Sequence, residues 1–208
     1  MVLNPQARKS AILQAQLEVQ HQPVYLDTET TGLETADQIV EICIIDHNSK
    51  TLINSLVKPK GKIPILASRI HGITDEMVVD APTWPDLWPQ VEAALAGRRV
   101  AIYNAEFDLA MLKNSHRKYH LHWAFPGEAS FCVMKLYAQF YGEWNYHYSS
   151  YRWQKLEEAA RQCKIAVKGA HRAYADALMA RGVLHYMAER KRQPTQIVKA
   201  VSGFSLDL

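Results

Sequence analysis

The chain has 208 residues and a hydrophobic content of 48 %, which is enough for the core of one compact domain. Its net charge of +3 is far below the excess of proteins that bind nucleic acid through basic tails, so charge alone identifies no partner. The three cysteines, Cys43, Cys132 and Cys163, are widely separated, which argues against a disulfide framework or a structural zinc site. Glutamines at 14, 16, 20 and 22 interrupt the N-terminal apolar run, and no other apolar stretch is long enough to cross a membrane. We therefore expect a cytoplasmic protein without a signal peptide or membrane-spanning segment.

The first part of the chain predicts one helix followed by three strands. Asn4-Pro5 has the form of a helix N-cap with proline at the first helical position, so residues 1–22 are predicted to form an N-terminal helical extension. The strands are predicted at residues 23–27, 38–46 and 51–58, which are rich in β-branched and aliphatic residues. Their short connections favour antiparallel pairing.

The rest of the chain alternates helices and strands. Two prolines and a glycine make residues 59–64 a loop, and short helical stretches are expected around His71-Gly72. Helices are then predicted at 84–96, 106–119, 153–163 and 172–190, with strands at 98–104 and, more weakly, 130–133. This order predicts an α/β fold with a mixed sheet over residues 23–190, followed by a tail at 191–208.

Two carboxylates follow the first strand. Asp27 and Glu29 are two residues apart, so the period of a strand places both on one face, where their oxygens can bind a hard cation such as Mg²⁺ or Mn²⁺. Alone, such a pair is commonly a solvated strand end, and it needs partners before it indicates a site.

Two later segments supply candidate partners. Asp108 follows the predicted strand at 98–104, although a carboxylate in the first turn of a helix is also stabilised by the helix dipole alone. His171 and Asp176 are five residues apart, which separates their side chains by about 140° on a helix. We therefore place Asp176 on a helix that faces the site and His171 in the preceding loop, where a solvent-exposed role is the simple alternative.

These motifs, in order and spacing, resemble those of the DEDDh (DnaQ-like) exonuclease family. The sequence Ile-His-Gly-Ile-Thr at 70–74 is also similar to that family, and the resemblance covers about residues 23–187. It implies a ribonuclease H-like fold, with a central mixed five-stranded β-sheet flanked by α-helices.

The resemblance also implies a role for each residue and a pair of divalent metal ions, Mg²⁺ or Mn²⁺. Asp27 would bridge the two ions, Glu29 and Asp176 would complete the ligands of the first, and Asp108 would support the second. His171 would be the general base, because an imidazole can accept a proton near neutral pH when the carboxylates are occupied by metal. In this chemistry the ions activate the attacking water and neutralise charge on the leaving 3′ oxygen.

By the same resemblance, the turn after the first strand would hold the 3′-terminal nucleotide, with three further positions near the substrate. These candidate substrate residues are Thr30, Thr31, Gly32, Leu33, His71, Asn104 and Phe107. For Asn104 and Phe107 an ordinary turn or core role is the alternative. The chain departs from the family at Tyr103, where many members have histidine, and this leaves the substrate preference open.

Three further features are ambiguous. Residues 137–153 are dense in aromatic side chains, which could stack on bases but are more simply explained as a long loop packed on the domain. A second feature is a set of basic residues that could contact phosphates or form an ordinary solvated surface. They are Lys58, Lys60, Lys62, Arg69 and those of the 113–118 region. The apolar tail 203–208 resembles peptides that bind sliding clamps, which suggests a polymerase or clamp partner, although self-packing is the simpler interpretation.

The sequence therefore predicts a 3′→5′ exonuclease that releases nucleoside monophosphates from single-stranded DNA, in proofreading or repair. An exonuclease of the same family that trims RNA from its 3′ end is the first alternative, since the treatment of the 2′-hydroxyl cannot be read from sequence. A non-catalytic nucleic-acid-binding or scaffold module is the second.

Overall fold

The computed structural model describes residues 4–190 and contains a mixed five-stranded sheet. Its strands run in the order β3-β2-β1-β4-β5 across the sheet, so the first strand in sequence is the central one. β2 is antiparallel to both β1 and β3, whereas β1, β4 and β5 are parallel. The strands are β1 (Val24–Thr30), β2 (Ile39–Ile45), β3 (Thr51–Leu56), β4 (Arg99–Ile102) and β5 (Ala129–Cys132). The predicted mixed sheet and its antiparallel half are confirmed.

Helices cover both faces of this sheet. A short 3-10 turn at Glu76–Val78 lies between the second and third helices. The helices are α1 (Pro5–Gln20), α2 (Ile65–His71), α3 (Trp84–Leu95), α4 (Ala105–Lys118), α5 (Val133–Tyr141), α6 (Leu156–Gln162) and α7 (Ala173–Ala188). No helix within residues 4–190 is long and apolar enough to cross a membrane.

Alternation along the central strand produces two apolar layers. Tyr25 points into a core that α1, α5 and α7 share, whereas Leu26 points into a second core formed with α3 and α4. Both side chains are fully buried. Because neighbouring residues of β1 face opposite layers, polar residues at the end of this strand can meet groups from helices on either side of the sheet.

The N-terminal helix packs directly on the domain. Asn4 caps it by accepting hydrogen bonds from the backbone N–H groups of Gln6 and Ala7 through its Oδ1. Near the other end, Glu18 is buried and accepts two hydrogen bonds of 2.8 Å from the Arg99 guanidinium on β4. The helix predicted within residues 1–22 is thus present, and the predicted domain boundary after residue 22 stays a prediction.

The structure corrects the expectation of a long loop at residues 137–153. Residues 133–141 form α5, which buries Tyr137 and Phe140 in the core and ends at Gly142 in the left-handed conformation, with φ 85°. A small hairpin of β6 (Trp144–Asn145) and β7 (Ser150–Tyr151) follows. The next helix begins at Leu156, three residues later than predicted. The predicted tail at 191–208, including the clamp-like segment 203–208, lies outside the described residues.

Candidate active site

Three carboxylates converge at the end of the central strand. Asp27 and Glu29 point from β1 toward α7, and Asp176 lies in the first turn of that helix. One oxygen from each carboxylate lies within 4.8 Å of the others. The structure therefore brings together three of the five predicted catalytic residues, from segments about 150 residues apart in sequence.

Asp108 reaches the same strand from the opposite layer of the sheet. It is buried in the first turn of α4, and its Oδ1 accepts a hydrogen bond of 2.8 Å from the Thr28 hydroxyl. Thr28 lies between Asp27 and Glu29 in sequence, so it points toward α4 while they point toward α7. The interpretation of the sequence did not include Thr28, although the alternation of β1 was a signal that could have identified it.

The carboxylates repel one another in a site that is partly buried. Burial first, and then the neighbouring carboxylates, raise the pKa of Glu29 to about 8 and that of Asp27 well above its usual range. Burial also raises the pKa of Asp108 to about 7 and that of Asp176 to about 6. Buried Oδ1 of Asp176 has no hydrogen-bond partner among residues 4–190. Carboxylate oxygens this close together fit a hard divalent cation, which would relieve their repulsion and favour their charged form.

A fifth carboxylate, Glu41, lies beside these residues but is fully engaged elsewhere. It is buried on β2 directly opposite Glu29. Its two oxygens accept hydrogen bonds of 2.6 to 3.1 Å from the Arg172 guanidinium, and Oε2 also accepts 2.9 Å from the backbone N–H of Ala173, the first residue of α7. Glu41 thus caps α7 and is not free to bind a cation.

Sequence reasoning missed both members of this pair. A single glutamate in the otherwise apolar run of β2 was a signal for a buried partner, because an unpaired buried carboxylate is strongly unfavourable. The identity of the partner depended on contacts across 131 residues of sequence, between Glu41 and Arg172.

His171 lies in the loop before α7, as the five-residue offset from Asp176 predicted. Its backbone φ is 61°, its side chain is half exposed, and its Nε2 is 3.2 Å from Oε1 of Glu157 on α6. It is near enough for its charge to oppose the effect of burial on the pKa of Asp176. In this structure the imidazole therefore lies at the rim of the acidic cluster and is not one of the side chains that could bind a cation there.

The turn after β1 has a fixed shape. Thr30 donates a hydrogen bond of 2.7 Å from Oγ1 to the carbonyl of Gly32, and Thr31 donates 2.7 Å to Oδ1 of Asp37. A Cβ on Gly32 would meet the Asp37 carboxylate at 2.5 Å, so a larger residue there would displace Asp37 from its hydrogen bonds with Thr31 and Glu34. Leu33, at the tip, is 79 % exposed. These contacts give the four predicted substrate residues a common, preformed turn, and Asp37 is a contributor that the sequence interpretation did not include.

The other predicted substrate residues are spread around this edge of the sheet. His71 is buried at the end of α2, where its Nδ1 accepts a hydrogen bond of 3.0 Å from Ile73, and burial lowers its pKa. Asn104 is exposed at the N-cap of α4. Phe107 is partly buried and packs against the second core, in line with the core role that was its alternative. Tyr103, by contrast, is buried, and its hydroxyl donates 2.9 Å to the Gln154 carbonyl.

Similarity to known proteins decides the family. The sequence model of the exonuclease family RNase_T matches residues 24–184. An uncharacterized exonuclease of Escherichia phage 186, CP81, is 42 % identical over 171 residues, which cover 80 % of this chain and 88 % of the phage protein. The chain belongs to the DEDDh (DnaQ-like) exonuclease family. It is therefore a nuclease of the ribonuclease H-like superfamily, and divalent metals are the cofactors of this family.

Other relatives place it within this DEDDh family more broadly. The DNA polymerase III subunit epsilon of Pasteurella multocida is 32 % identical over 47 % of this chain, which spans 43 % of that subunit. The structure of exonuclease X in complex with 5′ overhanging duplex DNA matches with a TM-score of 0.57 and 28 % identity, over 79 % of this chain and 90 % of that one. The nuclease domain of 3′hExo, a DEDDh member, shares the fold at a TM-score of 0.63 and 17 % identity, over 78 % and 89 % of the two chains.

Proposed function

We propose that this exonuclease removes nucleoside monophosphates one at a time from the 3′ end of single-stranded DNA. The observation that carries the proposal is the convergence of Asp27, Glu29 and Asp176 beside Asp108 at the end of β1. DNA is preferred to RNA because the related epsilon subunit is part of a DNA polymerase and the related exonuclease X is bound to DNA. A non-catalytic scaffold would not need an assembled and electrostatically unfavourable acidic cluster.

Each site residue has a proposed task. Asp27, Glu29 and Asp176 would hold Mg²⁺ or Mn²⁺, and Asp108, whose carboxylate Thr28 orients, would support a second ion. Bound there, the two ions supply an activated water and neutralise charge on the leaving 3′ oxygen. His171 accepts the proton of the attacking water.

The substrate residues orient the terminal nucleotide in this proposal. The preformed turn of Thr30, Thr31 and Gly32 presents backbone groups to the 3′-hydroxyl, and exposed Leu33 packs against the terminal base. His71 and Asn104 lie beside the strand that enters. Phe107 supports the edge of this pocket from the second core.

The cellular setting is also part of the proposal. Similarity to a subunit of DNA polymerase III favours proofreading or repair. Cys43, Cys132 and Cys163 are unpaired in the described part of the chain, which fits a reducing cytoplasm. A polymerase or clamp partner bound through residues 203–208 remains a proposal to be tested by clamp retention of full-length and tail-deleted protein.

The decisive experiment uses DNA and RNA oligonucleotides of one sequence, each labelled at the 5′ end, with Mg²⁺ or Mn²⁺. We expect a ladder that shortens from the 3′ end, faster on DNA, and at least a 1,000-fold loss in Asp27→Asn, since metal-held charge stabilisation contributes several kcal/mol. A strand with a 3′-phosphate is the control for polarity. Faster trimming of RNA would reverse the DNA preference, internal cleavage would contradict exonuclease action, and full activity of Asp27→Asn would contradict the site.

A further inference from the structure

Residues 143–153 form a small surface hairpin that exposes aromatic side chains, here called the aromatic hairpin. Its two strands, β6 and β7, pair only with each other within the described structure, outside the main sheet. Tyr146 and Tyr148 at its tip are 79 % and 73 % exposed. Trp144 and Trp153 near its base are also exposed. Unlike Tyr137 and Phe140 of α5, these four rings do not contribute to either core of the domain.

Hydrogen bonds at its tip and a ring pair at its base order the aromatic hairpin. At its tip, Oδ1 of Asn145 accepts hydrogen bonds from the backbone N–H groups of His147, at 3.0 Å, and Tyr148, at 3.3 Å. At its base, Trp144 and Tyr151 form an edge-to-face pair with ring centroids 5.0 Å apart. A two-stranded hairpin of this length is at best marginally stable alone. Ordering it with its largest apolar side chains in water brings no folding advantage, which points to a binding role.

The base of the aromatic hairpin is joined to the edge of the active site. Buried Tyr103, which precedes Asn104 at the end of β4, donates its hydroxyl hydrogen bond to the carbonyl of Gln154, just after the hairpin. On the other side, Lys135 pairs with Glu106 in the first turn of α4, two residues from Asp108, and its Nζ lies 6.0 Å from the ring centre of Trp153. The ring of Trp153 is therefore linked through Lys135 to the first turn of α4, the segment that carries Asp108.

The charge around the rings identifies the partner that fits them. Lys135, Arg152 and Lys155 lie on or beside the aromatic hairpin. Lys135 and Arg152 each pair with a carboxylate, of Glu106 and Glu143, and Lys155 has no ion-pair partner among the described residues. Aromatic faces between cations are what proteins use to hold single strands, with bases stacked on the rings and phosphates near the cations.

We propose that the aromatic hairpin is a stacking platform for single-stranded nucleic acid, on which bases upstream of the 3′-terminal nucleotide rest as the strand enters the site. This inference rests on the proposed exonuclease function and adds a second contact to it. Tyr146 and Tyr148 are the stacking residues, and Trp153 continues the surface toward the active site. Each stacked base is worth about tenfold or more in affinity.

The test compares double variants on two substrates. Tyr146→Ala/Tyr148→Ala removes both rings, Tyr146→Leu/Tyr148→Leu keeps apolar bulk without an aromatic face, and Tyr146→Phe/Tyr148→Phe keeps the rings. We expect KM for an oligothymidylate strand of about 20 nucleotides to rise about tenfold or more in the Ala and Leu variants and to stay within about twofold in the Phe variant. Hydrolysis of the p-nitrophenyl ester of thymidine 5′-monophosphate, which occupies only the terminal site, should stay within about twofold in all three.

Several outcomes would overturn the platform. An unchanged KM in the Ala variant would do so, as would a wild-type KM in the Leu variant, because that would indicate apolar contact without stacking. If the wild-type protein is a dimer and the Ala variant a monomer with unchanged affinity for the strand, the surface serves self-association. Fluorescence anisotropy with the labelled strand measures binding independently of turnover, so an inactive wild-type protein would contradict the exonuclease proposal while leaving the platform open to direct test.

Discussion

The acidic cluster and the loop that carries His171 are neighbours in the site, yet they are held in different ways. Asp27 lies on the central strand with a hydrogen-bonded strand on each side, and Asp108 is buried and tied to Thr28. His171 lies on a loop with a left-handed φ of 61°, its side chain is half exposed, and its only ion-pair partner among the described residues is Glu157 on α6.

This difference matches the two tasks proposed for the site. Cation ligands must keep their geometry within a few tenths of an ångström, so a rigid sheet and the first turns of two helices suit them. A proton acceptor must approach the water and then lose the proton to solvent, so an exposed position on a loop suits an imidazole. We infer that the fold separates charge binding from proton transfer, and three changes test that separation.

The largest effect is expected from His171→Ala, which removes the proposed base and leaves the cluster intact. We expect kcat to fall about 100- to 10,000-fold, the usual contribution of a positioned general base. Affinity for Mn²⁺, measured by isothermal titration calorimetry, should stay within about twofold, since His171 is not among the converging ligands. Asp176→Asn is the matched control and should lower both quantities. Loss of Mn²⁺ affinity in His171→Ala would show that cation binding and proton transfer are not separate in this site.

A smaller effect is expected from the Glu41–Arg172 pair, which connects the two halves. Glu41→Ala removes the cap of α7 and the partner of Arg172, next to His171, so both His171 and Asp176 lose their support. We expect kcat to fall about 10- to 100-fold, because displacements of about 1 Å have effects of this size. Glu41→Gln, which can still accept the Ala173 N–H, should retain more activity.

Stability measurements and a double variant separate positioning from simple unfolding. Arg172→Met combined with Glu41→Ala leaves no unpaired charge, so the double variant should be less destabilised than the sum of the single changes. Thermal unfolding gives this coupling, while kcat gives the effect on the site. Additive losses in stability together with wild-type kcat would show that the pair has no positioning role.

How far the sequence predicted this site depends on the kind of contact. The alternation of β1 and the helical offset of His171 from Asp176 are local, and the structure confirms both placements. Thr28 and the Glu41–Arg172 pair were missed because their partners lie 80 and 131 residues away in sequence, whereas Asp37 was missed although its partner, Thr31, lies in the same turn. Helix α5 was missed for another reason: its aromatic residues have low helix propensity, and packing of Tyr137 and Phe140 in the core stabilises it.

The smallest effect concerns the stability of the acidic cluster without metal. Folding raises the pKa of Asp176 to about 6, of Asp108 to about 7 and of Glu29 to about 8, above the usual values near 4 in an unfolded chain. A carboxyl group with a raised folded pKa favours folding fully below pH 4 and loses that contribution as the pH rises through 6 to 8. The metal-free protein should therefore be strained by its own site at pH 8, and Mn²⁺ should stabilise it most there.

Buried histidines oppose this trend, so the comparison must be made between matched proteins. Burial lowers the pKa values of His71, His116 and His185, and their contribution to stability is lost as the pH falls. Both forms carry these histidines, so the difference in Tm between metal-free Asp176→Asn and metal-free wild type isolates the cluster. That difference should grow by about 4–8 °C between pH 5 and pH 8, equivalent to about 2 kcal/mol. Two results would contradict this prediction: a Tm difference that does not change with pH, or an equal stabilisation by Mn²⁺ at both pH values. Either result would mean that burial of the carboxylates does not destabilise the metal-free protein.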